Sequence, residues 1–189
     1  MFYFSNFVAN RTGLNMAKRY PRTLSSGANN TVIALSQTEV GKLFHGDTRS
    51  DIGSEARKLR FANQVNDLCA GFIRLDVDEA LDSDLLVMER LYPLDFRAFE
   101  YERRELLLDV FEDDLKALHR AGFCHRDLRR PSDMPGLRYD NIFLTERGLR
   151  LIDVGISFLR EEVGDKLFDR SVEREWLKFK EFRMFFLNR

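Results

Sequence analysis

Cysteine is scarce in this chain of 189 residues, which contains only Cys69 and Cys124. Two cysteines without a CxxC pair exclude a disulfide framework and make a structural zinc site improbable. No apolar run approaches the roughly 18 residues needed to cross a bilayer, so we expect no transmembrane segment. Residues 1–21 lack the basic start and the cleavage site of a signal peptide. These absences together predict a cytoplasmic protein.

An excess of one charge is also missing, because 30 Lys and Arg residues face 31 Asp and Glu residues, a net charge of −1. The whole chain therefore exerts no strong electrostatic attraction on nucleic acids or anionic membranes, and we expect no nucleic-acid partner. Apolar material is plentiful, with 44% hydrophobic residues that include 17 Phe. This composition excludes a disordered chain and predicts a single folded unit.

The hydrophobic periodicity predicts an α+β protein in which strands surround the first of several helices. The first helix has two candidate N-caps, Asp51 and Ser54. A second, long helix ends before Gly122, and the carboxy-terminal segment from Gly164 is helical with its aromatic residues facing the core. The predicted strands cover residues 31–35, 39–44, 71–76, 84–91, 141–145 and 148–154, and the first two helices cover 54–69 and about 96–121.

Three polar clusters fall where predicted elements begin or end. One is His125-Arg126-Asp127 after the long helix. The second is Asp140-Asn141, immediately before the apolar run IFL, and the third is Asp153-Val154-Gly155, at the end of the run LRLI. Asn and Asp oxygens are hard ligands of the kind that Mg²⁺ prefers. A separate loop Asp can accept a proton from a hydroxyl. The combination is typical of phosphoryl transfer.

These clusters resemble the catalytic motifs of the protein-kinase superfamily. HRDLRR at 125–130 is similar to its catalytic loop, and YDNIFLTERGLRLIDVG at 139–155 is similar to the following strand pair and the metal-binding Asp-x-Gly. The resemblance extends from about residue 23 to about residue 172. It implies a protein-kinase-like two-lobed fold, with an amino-terminal lobe and hinge in residues 1–91 and a truncated helical carboxy-terminal lobe in residues 92–189.

The resemblance implies a role for each matching residue of the second half. Asp127 matches the catalytic Asp that orients the acceptor hydroxyl and takes its proton. Arg129 occupies a position at which many kinases hold a basic residue against the γ-phosphate. Asn141 and Asp153 match the two Mg²⁺ ligands.

In the first half, the same template assigns the ATP-binding residues. Lys42 matches the strand lysine that holds the α- and β-phosphates, and Glu55 matches its partner on the first helix. Gly27 is the single glycine available to the loop that covers the phosphates. Met88 matches the gatekeeper, and the backbone from Glu89 to Leu91 matches the hinge that reads the adenine edge.

Several features depart from the family pattern. Asp127 and Asn141 lie 14 residues apart, where the pattern has about five, so the intervening residues contain a basic insertion. Val154 replaces the usual aromatic residue of the Asp-x-Gly motif. Only 34 residues follow Gly155, which is too short for a full activation segment and peptide platform. The resemblance places Asp165 as a brace of the catalytic loop.

We therefore expect a minimal Ser/Thr protein kinase that uses ATP and Mg²⁺. It resembles compact bacterial effector kinases, which implies either action in the cytoplasm of its own cell or delivery into a host cell. Its activation segment is ordered constitutively, or a protein partner activates the enzyme. One alternative is a kinase for a sugar or a lipopolysaccharide core. Another is a pseudokinase that acts as a binding module, as the single glycine and the insertion suggest.

Overall fold

The computed structural model describes residues 21–26, 30–44, 51–78, 83–129 and 138–188. Over these residues the fold is α+β, with a five-stranded antiparallel sheet, two two-stranded pairs and four helices. The strands are β1 Arg22–Ser26, β2 Asn30–Ala34, β3 Glu39–Phe44, β4 Phe72–Asp78, β5 Ser83–Glu89, β6 Phe123–Cys124, β7 Ile142–Thr145, β8 Gly148–Leu151 and β9 Phe158–Leu159. The helices are α1 Ile52–Val65, α2 Tyr101–Ala121, α3 Arg160–Val163 and α4 Asp165–Leu187.

The large sheet has the strand order β1-β2-β3-β5-β4. The predicted hairpin over 31–35 and 39–44 is confirmed as β2 and β3, in a register that pairs Val32 with Lys42. On the other side of the central strand β3, Lys42 lies opposite Leu86 of β5. The preceding Gly41 packs so closely that a Cβ there would lie 2.6 Å from Leu85 Cδ1. Lys42 is thus held in the middle of the sheet, on a strand flanked on both sides.

Helix α1 begins at Ile52, two residues before the predicted start, and ends earlier than predicted. Asp51 is the N-cap, and its Oδ1 accepts a hydrogen bond from the Ser54 N–H at 2.7 Å. The prediction that the helix continues to Cys69 is wrong, because Asn66 turns the chain with a hydrogen bond from Leu68 N to its Oδ1 at 3.1 Å. The backbone that follows then pairs with β8, through Leu151 N to Leu68 O at 2.7 Å.

The main core lies between α1, α2, α4 and the β7–β8 pair. Helix α2 begins at Tyr101, later than predicted, and ends as predicted at Gly122, whose φ of 103° is a left-handed cap that glycine favours. The aromatic face of α4 points into this core, as predicted, and Phe179, Phe182 and Phe186 are buried. Among the helices in the described residues, none combines the length and the apolarity that a bilayer crossing would need.

Candidate active site

The β7–β8 hairpin brings two of the three polar clusters to its open end. Ile142 pairs with Leu151, so Asn141 and Ile152 are the next residues on either side of the opening. Ile152 N donates to Asn141 O at 3.0 Å, which continues the ladder by one step. Asp153 follows directly. A short hairpin thus places residues 141 and 153 side by side, although 12 positions separate them in the chain.

Lys42 joins Asp153 to α1 through one buried ammonium group. Its Nζ donates to Glu55 Oε1 at 2.8 Å and to Asp153 Oδ1 at 2.8 Å. The side chains of Lys42 and Glu55 are 4% and 1% exposed, whereas that of Asp153 is 47% exposed. The sheet, the helix and the Asp-x-Gly turn therefore meet at one cation, and Asp153 keeps an open side.

The charges of Lys42, Glu55 and Asp153 do not cancel. Burial alone would lower the pKa of Lys42, but Asp153 and Glu55 outweigh burial and raise it. Burial raises the pKa of Glu55, and the nearby Asp153 adds to that effect. Burial would also raise the pKa of Asp153, but the contact with Lys42 lowers it below its usual range. Two carboxylates facing one ammonium leave an excess negative charge beside Asp153, which suits a cation.

Asp127 is tied to the same hairpin through Asn141. Asn141 Nδ2 donates to Asp127 Oδ2 at 3.0 Å and to the Asp127 backbone oxygen at 3.0 Å. His125 reaches the other side of the opening, with Nε2 2.9 Å from Ile152 O. Its Nδ1 accepts from Asp127 N at 3.3 Å, so both ring nitrogens of His125 are already engaged. Asp127, Asn141 and Asp153 therefore belong to one connected site.

The backbone is strained at two points of this site. Arg126 has a φ of 73° and Asp153 has a φ of 59°, and no other non-glycine residue in the described segments has a positive φ. Such conformations persist where the surroundings hold them, and they cluster at functional sites. Here they lie next to Asp127 and at Asp153 itself.

Two oxygen atoms at the site are suited to a hard cation such as Mg²⁺. The amide nitrogen of Asn141 donates to Asp127, which leaves Asn141 Oδ1 as an acceptor. Asp153 bonds Lys42 through Oδ1, and its side chain is half-exposed. Carboxylate and amide oxygens from adjacent positions fit Mg²⁺ by their chemistry.

The predicted hinge residues lie at the end of β5. Met88 pairs with Val40 of β3 and packs against the main core. The Glu89 carboxylate forms ion pairs with Arg147 and Arg150. Leu91 lies just past the strand, and no acceptor for its backbone N–H is found among the described residues.

Arg129 lies elsewhere. The guanidinium of Arg129 turns toward α4, where Nη1 lies 2.6 Å from Glu181 Oε2, and no contact in the described part of the chain joins it to Lys42, Asp127 or Asp153. Gly27 lies outside the described residues, as does most of the insertion that precedes Asn141.

A buried glutamate that sequence reasoning missed supports the catalytic loop. Glu175 of α4 accepts hydrogen bonds from the backbone N–H groups of His125 and Arg126, both at 3.1 Å. The expectation that Asp165 would brace this loop is wrong, because Asp165 pairs with Arg160 at the start of α4. Glu175 gives no sequence signal beyond its position on the apolar face of a helix.

The Glu175 carboxylate also lies within hydrogen-bond distance of two further side chains. His119 Nε2 lies 3.0 Å and Cys124 Sγ 2.7 Å from Glu175 Oε2. Burial alone would raise the pKa of Glu175, but the hydrogen bond and charge of His119 help to lower it. These three side chains have donor atoms within 4.8 Å of one another and could be read as a metal site. Their separations are hydrogen-bond distances to one shared oxygen, so we interpret them as a hydrogen-bonded network.

A second buried lysine holds the Asp-x-Gly turn. Lys58 of α1 is 8% exposed, and its Nζ donates to Gly155 O at 2.8 Å. Burial lowers the pKa of Lys58. Val154 between the two contacts is 1% exposed. The turn is therefore fixed by Lys42 and Lys58 on either side of a small buried residue.

A search with models of known protein families finds no match to this chain, and a search of curated protein sequences finds none either.

Proposed function

We propose that this chain is an ATP-dependent phosphotransferase with a minimal, protein-kinase-like two-lobed architecture. The observation that carries the proposal is the contact of Lys42 with both Glu55 and Asp153, together with the bond from Asn141 to Asp127. One triphosphate would then be surrounded by four polar side chains from distant parts of the sequence, those of Lys42, Asp127, Asn141 and Asp153. The strand order β1-β2-β3-β5-β4, with α1 between β3 and β4, supports the same proposal.

Each side chain has a task in the proposed reaction. Lys42 would hold the α- and β-phosphate oxygens, and Glu55 would keep its ammonium group in position. Asn141 and Asp153 would hold Mg²⁺, which neutralises charge on the phosphates when it is bound. Asp127 would orient the acceptor hydroxyl and receive its proton. The acceptor oxygen forms a bond to the γ-phosphorus while the bond to the β-phosphate oxygen breaks, and ADP leaves.

We expect the segment after Gly155 to be ordered without phosphorylation. Arg126 Nη1 donates to Ile156 O at 2.7 Å, and its guanidinium lies 3.6 Å from the centre of the Phe158 ring. Strand β9 pairs with β6. The only hydroxyl residues after Gly155 in the sequence are Ser157 and Ser171, and both are buried. The side chain of Arg126 and strand β9 therefore hold this segment through contacts that contain no phosphate.

The proposed acceptor is a serine or threonine of a protein. A sugar-containing acceptor is the second candidate, because α3 has only four residues and α4 packs into the core. The described residues after Gly155 thus build no broad helical platform for a peptide. Both candidates share the chemistry of an alcohol acceptor.

Two measurements test the proposal. The first is thermal unfolding with millimolar ATP and Mg²⁺, since a ligand that binds the native state must raise the apparent stability. The second is transfer of label from γ-labelled ATP to mixed proteins, compared with sugar and glycolipid acceptors. Asp127→Asn is the matched control, because it removes the proton acceptor and keeps the shape. Nucleotide stabilisation without transfer to any acceptor would favour a binding module, and no stabilisation at all would refute the nucleotide site.

A further inference from the structure

The residue before the proposed catalytic aspartate is held in an unfavourable conformation. Arg126 has a φ of 73°, in the left-handed region that long side chains rarely adopt. Its surroundings must therefore supply contacts that are lost if the backbone relaxes. The question is which groups supply them.

One turn of α4 forms hydrogen bonds with both the backbone N–H and the backbone C=O of Arg126. Glu175 Oε1 accepts from Arg126 N at 3.1 Å. Lys178 Nζ donates to Arg126 O at 2.7 Å. Residues three apart on a helix share one face, so an acceptor and a donor meet the two ends of a single strained residue.

The contact with Lys178 lies on the peptide group that leads into Asp127. The oxygen of this group accepts from Lys178, and its N–H, which belongs to Asp127, lies 3.3 Å from His125 Nδ1. Rotation of this peptide would change the direction in which the Asp127 side chain leaves the backbone. The bond between Asp127 Oδ2 and Asn141 Nδ2, at 3.0 Å, depends on that direction.

We propose that Lys178 is a positioning residue for Asp127, acting by fixing the Arg126–Asp127 peptide. The inference rests on the proposed phosphotransferase function for its effect on turnover. Lys178 contacts a backbone oxygen and not the Asp127 carboxylate, so its role is to orient the proton acceptor. Glu175 holds only the N–H side of Arg126, whereas Lys178 adds a 2.7 Å bond to the 3.3 Å contact of His125 Nδ1 on the following peptide.

The test compares four variants of the full chain. Lys178→Met keeps the length of the side chain and removes its donors, Lys178→Gln removes the reach of the side chain but stays polar, and Lys178→Arg restores a donor. Lys180→Met is the matched control, since Lys180 is an exposed lysine on the same helix. We expect Lys178→Met and Lys178→Gln to lower kcat about ten- to a hundredfold with an unchanged KM for ATP. Lys178→Arg should recover most of the loss, and Lys180→Met should match the wild type.

Amide hydrogen exchange separates this inference from the proposed function. In the absence of nucleotide, exchange in the peptide that spans residues 124–128 should be faster in Lys178→Met than in the wild type and unchanged in Lys180→Met. If the wild type transfers no phosphate, the proposed function fails, while the exchange measurement still tests whether Lys178 fixes the Arg126–Asp127 peptide. Unchanged exchange in both Lys178→Met and Lys178→Gln would overturn the inference, whatever happens to kcat.

Discussion

Replacing Lys42 with methionine should destabilise the fold in a way that depends on pH. The methionine fills most of the space of the lysine stem but removes the ammonium that lies 2.8 Å from both Glu55 and Asp153. Asp153 is half-exposed, so water can solvate it. The Glu55 side chain is only 1% exposed, so water cannot solvate its carboxylate. The cost therefore falls on Glu55.

The magnitude is limited because Glu55 can take up a proton instead of remaining a buried, unpaired charge. Protonating a glutamate whose unfolded pKa is about 4.3 costs about 1.4 kcal/mol for each pH unit above that value, or at most about 3.7 kcal/mol at pH 7. Breaking a buried pair typically costs about 3–5 kcal/mol. We thus expect a loss of about 3 kcal/mol at pH 7, which is about 6–12 °C in Tm for a chain of this size.

The sign of the pH dependence follows from the raised pKa of the buried carboxyl group. Its penalty is absent below the unfolded pKa of about 4.3 and grows as the pH rises above it. At pH 5 the loss should therefore shrink to about 1 kcal/mol.

Urea denaturation followed by circular dichroism, at pH 5 and pH 7, measures these losses. The double variant Lys42→Met/Glu55→Gln should be more stable than Lys42→Met at pH 7, since no buried charge remains. Lys116→Met removes a half-exposed lysine that pairs with Glu112 and should cost less than about 1 kcal/mol. A loss of stability that is equal at both pH values, or no loss, would refute the buried ion pair between Lys42 and Glu55.

Three further predictions concern the loop and its support. Asp127→Asn should lower turnover about 10²- to 10⁴-fold in the transfer assay with little change in Tm, and wild-type turnover would remove Asp127 from the mechanism. Glu175→Gln should cost about 3 kcal/mol at pH 7, because a neutral amide replaces a carboxylate that accepts four hydrogen bonds. The lowered pKa of Glu175 means that this contribution is present above the unfolded pKa of about 4.3 and fades as the pH falls through the folded pKa, so urea titrations at pH 3 should show a smaller loss. Phosphatase treatment should leave the transfer rate unchanged, since Ser157 is 1% exposed and bonds His125 O at 3.2 Å; a large drop would show that phosphorylation orders the segment.

Local patterns were sufficient for the elements that carry the proposed site. Alternating and β-branched residues predicted β2 and β3, and the position of Lys42 within β3 follows from them. The polar residues Asn141 and Asp153 flank two short apolar runs joined by a tight turn, so their approach could be inferred from the hairpin alone. The end of α1 could not be predicted, because Asn66 bonds Asp114 of α2 and Leu68 then pairs with Leu151 of β8, and both partners are remote in sequence.

The sequence by itself determined six of the nine strands, the three long helices and the order of the polar residues at their ends, because these depend on short-range periodicity and capping. Only the tertiary structure decided which charged residues are buried. Glu175, Lys178 and Lys58 are ordinary helix formers with no local signal. Their roles arise because α4 packs beneath residues 125–127 and α1 against the turn at Gly155, contacts that span about 50 to 100 residues. The partners of these residues are determined by how whole helices pack, and local residue preferences do not encode that packing.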